Sequence, residues 1–137
     1  MTGHVGQVVV GRATFPVELT PDAITLLRFG AVTRNAHRIH YDTESARAEG
    51  LAGPVVMAQL HGCLFHRAAA EFAGPGGQVR QVGWQNRAPA CVGERLVVTG
   101  TVRSVDTTSG EVTLDLVEHC GPDDVVCCRG RAVVVLG

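Results

Sequence analysis

Apolar residues change from helical to strand spacing near residue 77. Over residues 55–72, Met57, His61, Leu64, Ala68 and Phe72 recur at three- and four-residue intervals, with Phe65 alongside and Gln59, Arg67 and Glu71 clustered elsewhere. That period predicts one long amphipathic helix, stopped by Gly74-Pro75-Gly76-Gly77. Gly62 and the many alanines let the helix approach a sheet closely, at some cost in helix propensity. From residue 78 the period becomes two. Val82 and Trp84 share a side; Leu96, Val98 and Val102 alternate with Val97, Thr99 and Thr101; Val112, Leu114 and Leu116 alternate with Thr113 and Asp115; a last apolar run goes from Val125 to Leu136. Turn residues at Thr107–Gly110 and Gly121–Asp124 separate the runs, predicting four strands in a meander.

Upstream, residues 5–19 read as extended, with Pro16 marking an edge or irregular place. Thr20 as N-cap, Pro21 at the first helical position and Asp22 in the first turn predict a helix to about Val32. Ile24, Leu27 and Ala31 fall on one side of it, and Leu26 and Phe29 extend the apolar surface. Thr43 is expected to cap a short helical turn closed by Gly50, and Leu51 to Pro54 is a loop. The result is a single α+β domain over residues 1–137, an antiparallel sheet wrapped around one long central helix. An edge strand of such a sheet wants a partner, so a dimer is expected.

The totals narrow the function. The 137 residues are 45% hydrophobic and 18% charged, with net charge −1 and a pI near 6.6. There is no electrostatic footprint for nucleic acid or an anionic membrane. The start lacks a signal peptide pattern, and no apolar stretch approaches the roughly 20 residues of a membrane helix, so a cytoplasmic protein is expected. Five cysteines, Cys63, Cys91, Cys120, Cys127 and Cys128, fit reduced thiols. Neighbours on a regular strand point to opposite faces, so Cys127 and Cys128 are expected to act as separate buried apolar residues, with no metal bound.

Between the two predicted helices lies Thr33 to Ala46, the stretch richest in proton-handling groups. Within it, Asn35, His37, Arg38, His40, Tyr41 and Asp42 crowd into a few positions. His40 is the candidate acid/base, because imidazole titrates near neutral pH. Asn35 can bridge backbone or touch water. His37 and Arg38 suit solvated or structural roles, with carboxylate or phosphate recognition open to Arg38. Asp42 pairs with a cation or caps the following turn. His61, on the apolar stripe, is either a core histidine or points into a substrate slot.

The segment His40-Tyr41-Asp42-Thr43-Glu44-Ser45-Ala46 resembles the His-x-Asp-x-x-x-Ala run of MaoC-like hot-dog enoyl-thioester hydratases and dehydratases. The longer run from Thr33 resembles the branch of mesaconyl-CoA hydratase and the mitochondrial-type 3-hydroxyacyl dehydratases. Arg129-Gly130-Arg131-Ala132-Val133-Val134-Val135 is similar to the family's last strand. The resemblance implies a single hot-dog domain that hydrates a 2-enoyl thioester of CoA or an acyl carrier, reversibly and without a cofactor. It implies His40 as acid/base, Asn35 orienting the water, the backbone of Met57 and Ala58 as oxyanion hole, and Arg38, Tyr41 and His61 as substrate contacts. The partner is a second copy or a second hot-dog subunit. Asn35 stands where relatives commonly carry aspartate, Arg38 where they carry proline, and Ala58 where they carry glycine. Two other readings follow: a non-catalytic subunit of a heteromeric hydratase, or a thioesterase using Asp42 or Glu44.

Overall fold

A computed structural model describes residues 5–137. A short 3-10 turn, Val5–Gln7, leads to the first strand, β1 (Val17–Leu19), and the first helix, α1 (Ala23–Thr33). Besides β1, the predicted extended segment pairs through a bridge from Ala13 to Thr101, flanked by bonds from Gly11 N–H to Val102 O, Val102 N–H to Arg12 O and Thr14 N–H to Gly100 O. The α1 N-cap is Asp22, not Thr20, because the Asp22 carboxylate accepts from Thr25 N–H at 2.7 Å and from its hydroxyl at 2.8 Å. The buried face of α1 is also not the expected one. Leu26 and Gly30 face inward, while Ile24 and Leu27 are exposed. Gly30 sets this rotation: a Cβ there would lie 2.9 Å from Asn35 O and 3.4 Å from Met57 Cε. Only glycine lets α1 sit so close to the next segment.

Helix α2 (Thr43–Ala48) is capped by Asp42, so Thr43 is its first helical residue rather than its cap. The long helix, α3, runs Ala58–Ala73, beginning three residues later than the periodicity suggests. Its predicted first turn is extended instead, with Val55 bridged to Cys91 and Val56 N–H donating to Ala90 O. Leu60, His61, Leu64, Phe65, Ala68 and Ala69 form its buried face.

The remaining strands are β2 (Gln78–Asn86), β3 (Leu96–Asp106), β4 (Glu111–Cys120) and β5 (Val125–Val135). The five-stranded antiparallel sheet has the order β1-β3-β4-β5-β2. Thus only β3, β4 and β5 form the meander, and β2 crosses to pair with β5 at the far edge. Alternation fixes which face a strand buries but not which neighbour it pairs with. α3 packs against β1, β2, β3 and β5. Val98, Val112, Leu114, Leu116, Ala132 and Val134 meet Leu64 and Phe65 in the core.

Gly62 seats Trp84, the only tryptophan, against α3: a Cβ at this position would overlap the indole ring. The indole N–H donates to Ala58 O at 3.1 Å. Gly62→Ala is therefore expected to displace the ring and cost about 1–3 kcal/mol, as overpacking commonly does. A red-shifted tryptophan emission together with a lower urea midpoint checks it; an unchanged spectrum would mean that Trp84 does not rest on Gly62.

Candidate active site

The end of α1 shapes the polar stretch. Arg34 closes the helix in the left-handed region, at φ 55°, and its N–H bonds back to Ala31 and Gly30 carbonyls. Asn35 N–H donates to Gly30 O at 2.9 Å, which turns the chain sharply. Asn35 Oδ1 then accepts from His37 N–H at 3.2 Å, and His37 Nδ1 accepts from Ile39 N–H, capping the 3-10 turn Arg38–His40.

This turn delivers His40 into the fold. Its ring is buried, and Nδ1 lies 2.7 Å from Val55 O. A carbonyl only accepts, so Nδ1 carries the proton and neutral His40 keeps its lone pair on Nε2. Nε2 has no protein partner among the described residues and is not sealed from solvent. His40 lines a cavity of about 460 Å³ whose wall also includes Asn35, Ala58, Gln59, His61, Asn86 and Arg87. A backbone carbonyl on the extended segment before α3 thus sets the histidine's tautomer, a common way of preparing an imidazole for proton transfer.

The first turn of α3 faces the same cavity. Met57 is its N-cap and provides no side-chain cap. Among the described residues, the N–H groups of Met57, Ala58 and Gln59 have no protein acceptor. Ala58 and Gln59 border the cavity. Met57 turns its side chain into a neighbouring apolar cavity of about 190 Å³, lined also by Leu26 and Tyr41. Free N–H groups and the positive end of a 16-residue helix stabilise an anion at that point.

Other candidate residues lie apart. Arg38 is exposed and outside the cavity wall. Tyr41 donates its hydroxyl to Ala36 O at 3.1 Å and borders only the smaller cavity. Asp42 accepts from Glu44 N–H, Ser45 N–H and the Ser45 hydroxyl. The Ser45 N–H bond is the main reason its carboxyl titrates below the usual range. Asn86 and Arg87 also line the cavity. They were missed because β2 ends beside α3 only through its crossing, which periodicity does not encode.

His61 is almost fully buried yet borders the cavity. Its Nδ1 pairs with the buried Glu118 carboxylate. Burial alone would depress its pKa, but bonding to Cys128 and to Glu118 outweighs this and raises it to about 9. Glu118 occupies the apolar row of β4 in step with Val112, Leu114 and Leu116, a legible sequence signal of a buried carboxylate. The expected divergence of Cys127 and Cys128 is corrected here. Glu118 pairs with Cys128 and His119 with Val126, leaving Cys127 as the extra residue of a β-bulge. A bulge interrupts alternation, so both thiols turn inward. Cys127 Sγ lies 2.9 Å from Glu118 Oε1, and Cys128 Sγ 3.0 Å from Asn86 Oδ1.

Among the described residues, no helix is long and apolar enough to cross a membrane. No curated protein matches the chain in sequence. Solved structures match its fold across nearly its whole length. It is similar to the (R)-hydratase from A. caviae involved in PHA biosynthesis, at 20% identity and TM-score 0.87, over 96% of this chain and 98% of that one. It is similar to the R-hydratase PhaJ1 from Pseudomonas aeruginosa, at 18% identity and TM-score 0.87, over 98% and 86%. The ChsH1-ChsH2 complex from Mycobacterium tuberculosis also matches, at 20% identity and TM-score 0.84, over 94% and 98%. These likenesses establish the hot-dog fold that the sequence suggested. The model of hydroxyacyl-thioester dehydratase type 2 matches residues 7–92, a segment holding α1, the His40 turn, α2, α3 and β2. With more than half its length matched, the chain belongs to the hydroxyacyl-thioester dehydratase type 2 family, a MaoC-like hot-dog family.

Proposed function

We propose that this chain is a hydro-lyase that interconverts a 2-enoyl thioester and a 3-hydroxyacyl thioester, with His40 as its acid/base. The observation that carries the reading is the His40 tautomer set by Val55 O, which leaves Nε2 unpartnered in a residue that lines the same cavity as the uncapped start of α3. In hydration, His40 Nε2 takes a proton from water as the water oxygen bonds to C3. The electron pair of the double bond moves toward the thioester oxygen, which the Ala58 and Gln59 N–H groups hold as an enolate. His40 then returns the proton to C2, leaving the thioester bond intact and the histidine neutral. Asn35 orients the water, and the exposed Arg87 at the cavity wall suits an anionic part of the carrier.

The outer edge of β2, nine residues long and unpaired among the described residues, is the edge through which we place a second hot-dog subunit, a copy of this chain or a related one. A thioesterase reading gains no support, since Asp42 is used as a helix cap and neither it nor Glu44 borders the cavity.

The deciding assay incubates the purified chain, alone and with a co-expressed hot-dog partner, with a short 2-enoyl-CoA and follows both the enoyl absorbance and free thiol. Loss of absorbance without thiol release supports the hydro-lyase; thiol release with the absorbance unchanged overturns it. Removing the Asn35 amide deletes its hydrogen bond to the water, worth about 1 kcal/mol, besides the one it accepts from His37 N–H. Asn35→Ala is accordingly expected to lower kcat/KM by roughly five- to tenfold. An unchanged kcat/KM in that variant would remove Asn35 from the mechanism.

A further inference from the structure

We propose that His61, Glu118, Cys127 and Cys128 form a buried binding site for a thiophilic divalent cation of the Zn²⁺ type. The four donors come from α3, β4 and β5, and one nitrogen, oxygen or sulfur atom of each lies within 4.8 Å of all the others. All four residues are buried. Two thiolates, an imidazole and a carboxylate are the donors that a tetrahedral zinc site uses. The sequence alone argues against pairing adjacent cysteines in one site; the bulge at Cys127 removes that objection by putting both sulfurs on the inner side of β5.

A second observation points to a ligand. Glu118 Oε1 is engaged by His61 and Cys127, but Glu118 Oε2 is sealed from solvent with no partner among the described residues. A buried carboxylate oxygen left bare is costly, and a purely hydrogen-bonded cluster offers nothing to satisfy it. A cation bound by the Glu118 carboxylate would satisfy it, and would also balance the negative charge of the deprotonated thiols. The histidine edge that forms part of the cavity wall gives the ion a path from solvent. Asn86, against Cys128, supports the set from the outer side.

The test uses the full chain stripped with chelator and titrated with Co²⁺, then with Zn²⁺. The expected result is a single Co²⁺ per chain, a thiolate-to-cobalt charge-transfer band with tetrahedral visible bands, and displacement of both by Zn²⁺. Cys127→Ser and Cys128→Ser should each lose at least half of the charge-transfer intensity, while Cys120→Ser, a buried cysteine outside the set, keeps it. Glu118→Gln should weaken binding at least tenfold with the band retained. Because a core cysteine variant can fail to fold, X-ray absorption on the zinc-loaded wild type decides independently, with sulfur at about 2.3 Å and lighter donors at about 2.0 Å expected. A wild type without the band, a band that survives in both Cys127→Ser and Cys128→Ser, or a zinc shell without sulfur overturns the proposal.

Discussion

His40→Ala is expected to lower kcat/KM for the proposed hydration by about 10²–10⁴-fold, the usual share of a positioned general acid/base. The variant should keep its fold. His40 is buried, but it sits in a 3-10 turn whose own bonds, His37 Nδ1 to Ile39 N–H and Tyr41 N–H to Arg38 O, do not involve its ring. The lost Nδ1–Val55 bond leaves a carbonyl without its partner and costs about 1–3 kcal/mol, so the melting temperature should drop by several degrees while the transition stays cooperative. His40→Gln separates position from proton transfer: its amide can donate to Val55 O but cannot cycle a proton at neutral pH. Stopped activity in both variants with an intact melt assigns proton transfer to the imidazole. Activity that persists in His40→Gln would reduce His40 to an orienting role, and activity that persists in both would move the chemistry elsewhere in the cavity.

The sequence was most legible where local chemistry decides local structure. The alternation of Val112, Leu114 and Leu116 marks the inner face of β4, and His61, Leu64, Phe65 and Ala68 mark that of α3. The density of polar groups from Thr33 to Asp42 located the turn that carries His40 into the cavity. Three features depend on tertiary contacts and so escaped. The crossing of β2 to the far edge brings Asn86 and Arg87 to the cavity that His40 lines, and nothing in the repeat of β2 names β5 as its partner. The rotation of α1 follows from close packing at Gly30, against a sequence stripe that favours Ile24 and Leu27. The bulge at Cys127 depends on register with β4, and it turns two unremarkable cysteines into neighbours of a buried His–Glu pair. Glu118 was readable, standing in an otherwise apolar row, but its partner His61 lies 57 positions away.

Phe65→Ala is expected to produce the largest loss of stability, about 3–5 kcal/mol, as the truncation of a well-packed core aromatic commonly does. Phe65 has no exposed surface and is the largest fully buried side chain. Its ring lies against β5, where a Cβ on Gly130 would come within 3.4 Å of Phe65 Cδ1 and 2.5 Å of Gly83 O. The fit therefore has a bulky residue on α3 and none opposite on the sheet. Strand β5 cannot close inward over the hole, because Gly130 is held between Leu116 on β4 and Trp84 on β2. A cavity that does not collapse retains the full cost. For a domain whose whole stability is about 5–15 kcal/mol, such a loss should move the urea midpoint strongly and lower the melting temperature by roughly 10–15 °C. Phe65→Leu, which keeps most of the volume, should recover more than half of it. If Phe65→Ala instead melts within a few degrees of wild type, the sheet does close over α3, and the same movement would shift β2 and narrow the cavity at Asn86 and Arg87. Measuring kcat/KM for the variant below its melting range then separates a rigid core that merely supports the site from one whose packing sets the site's width.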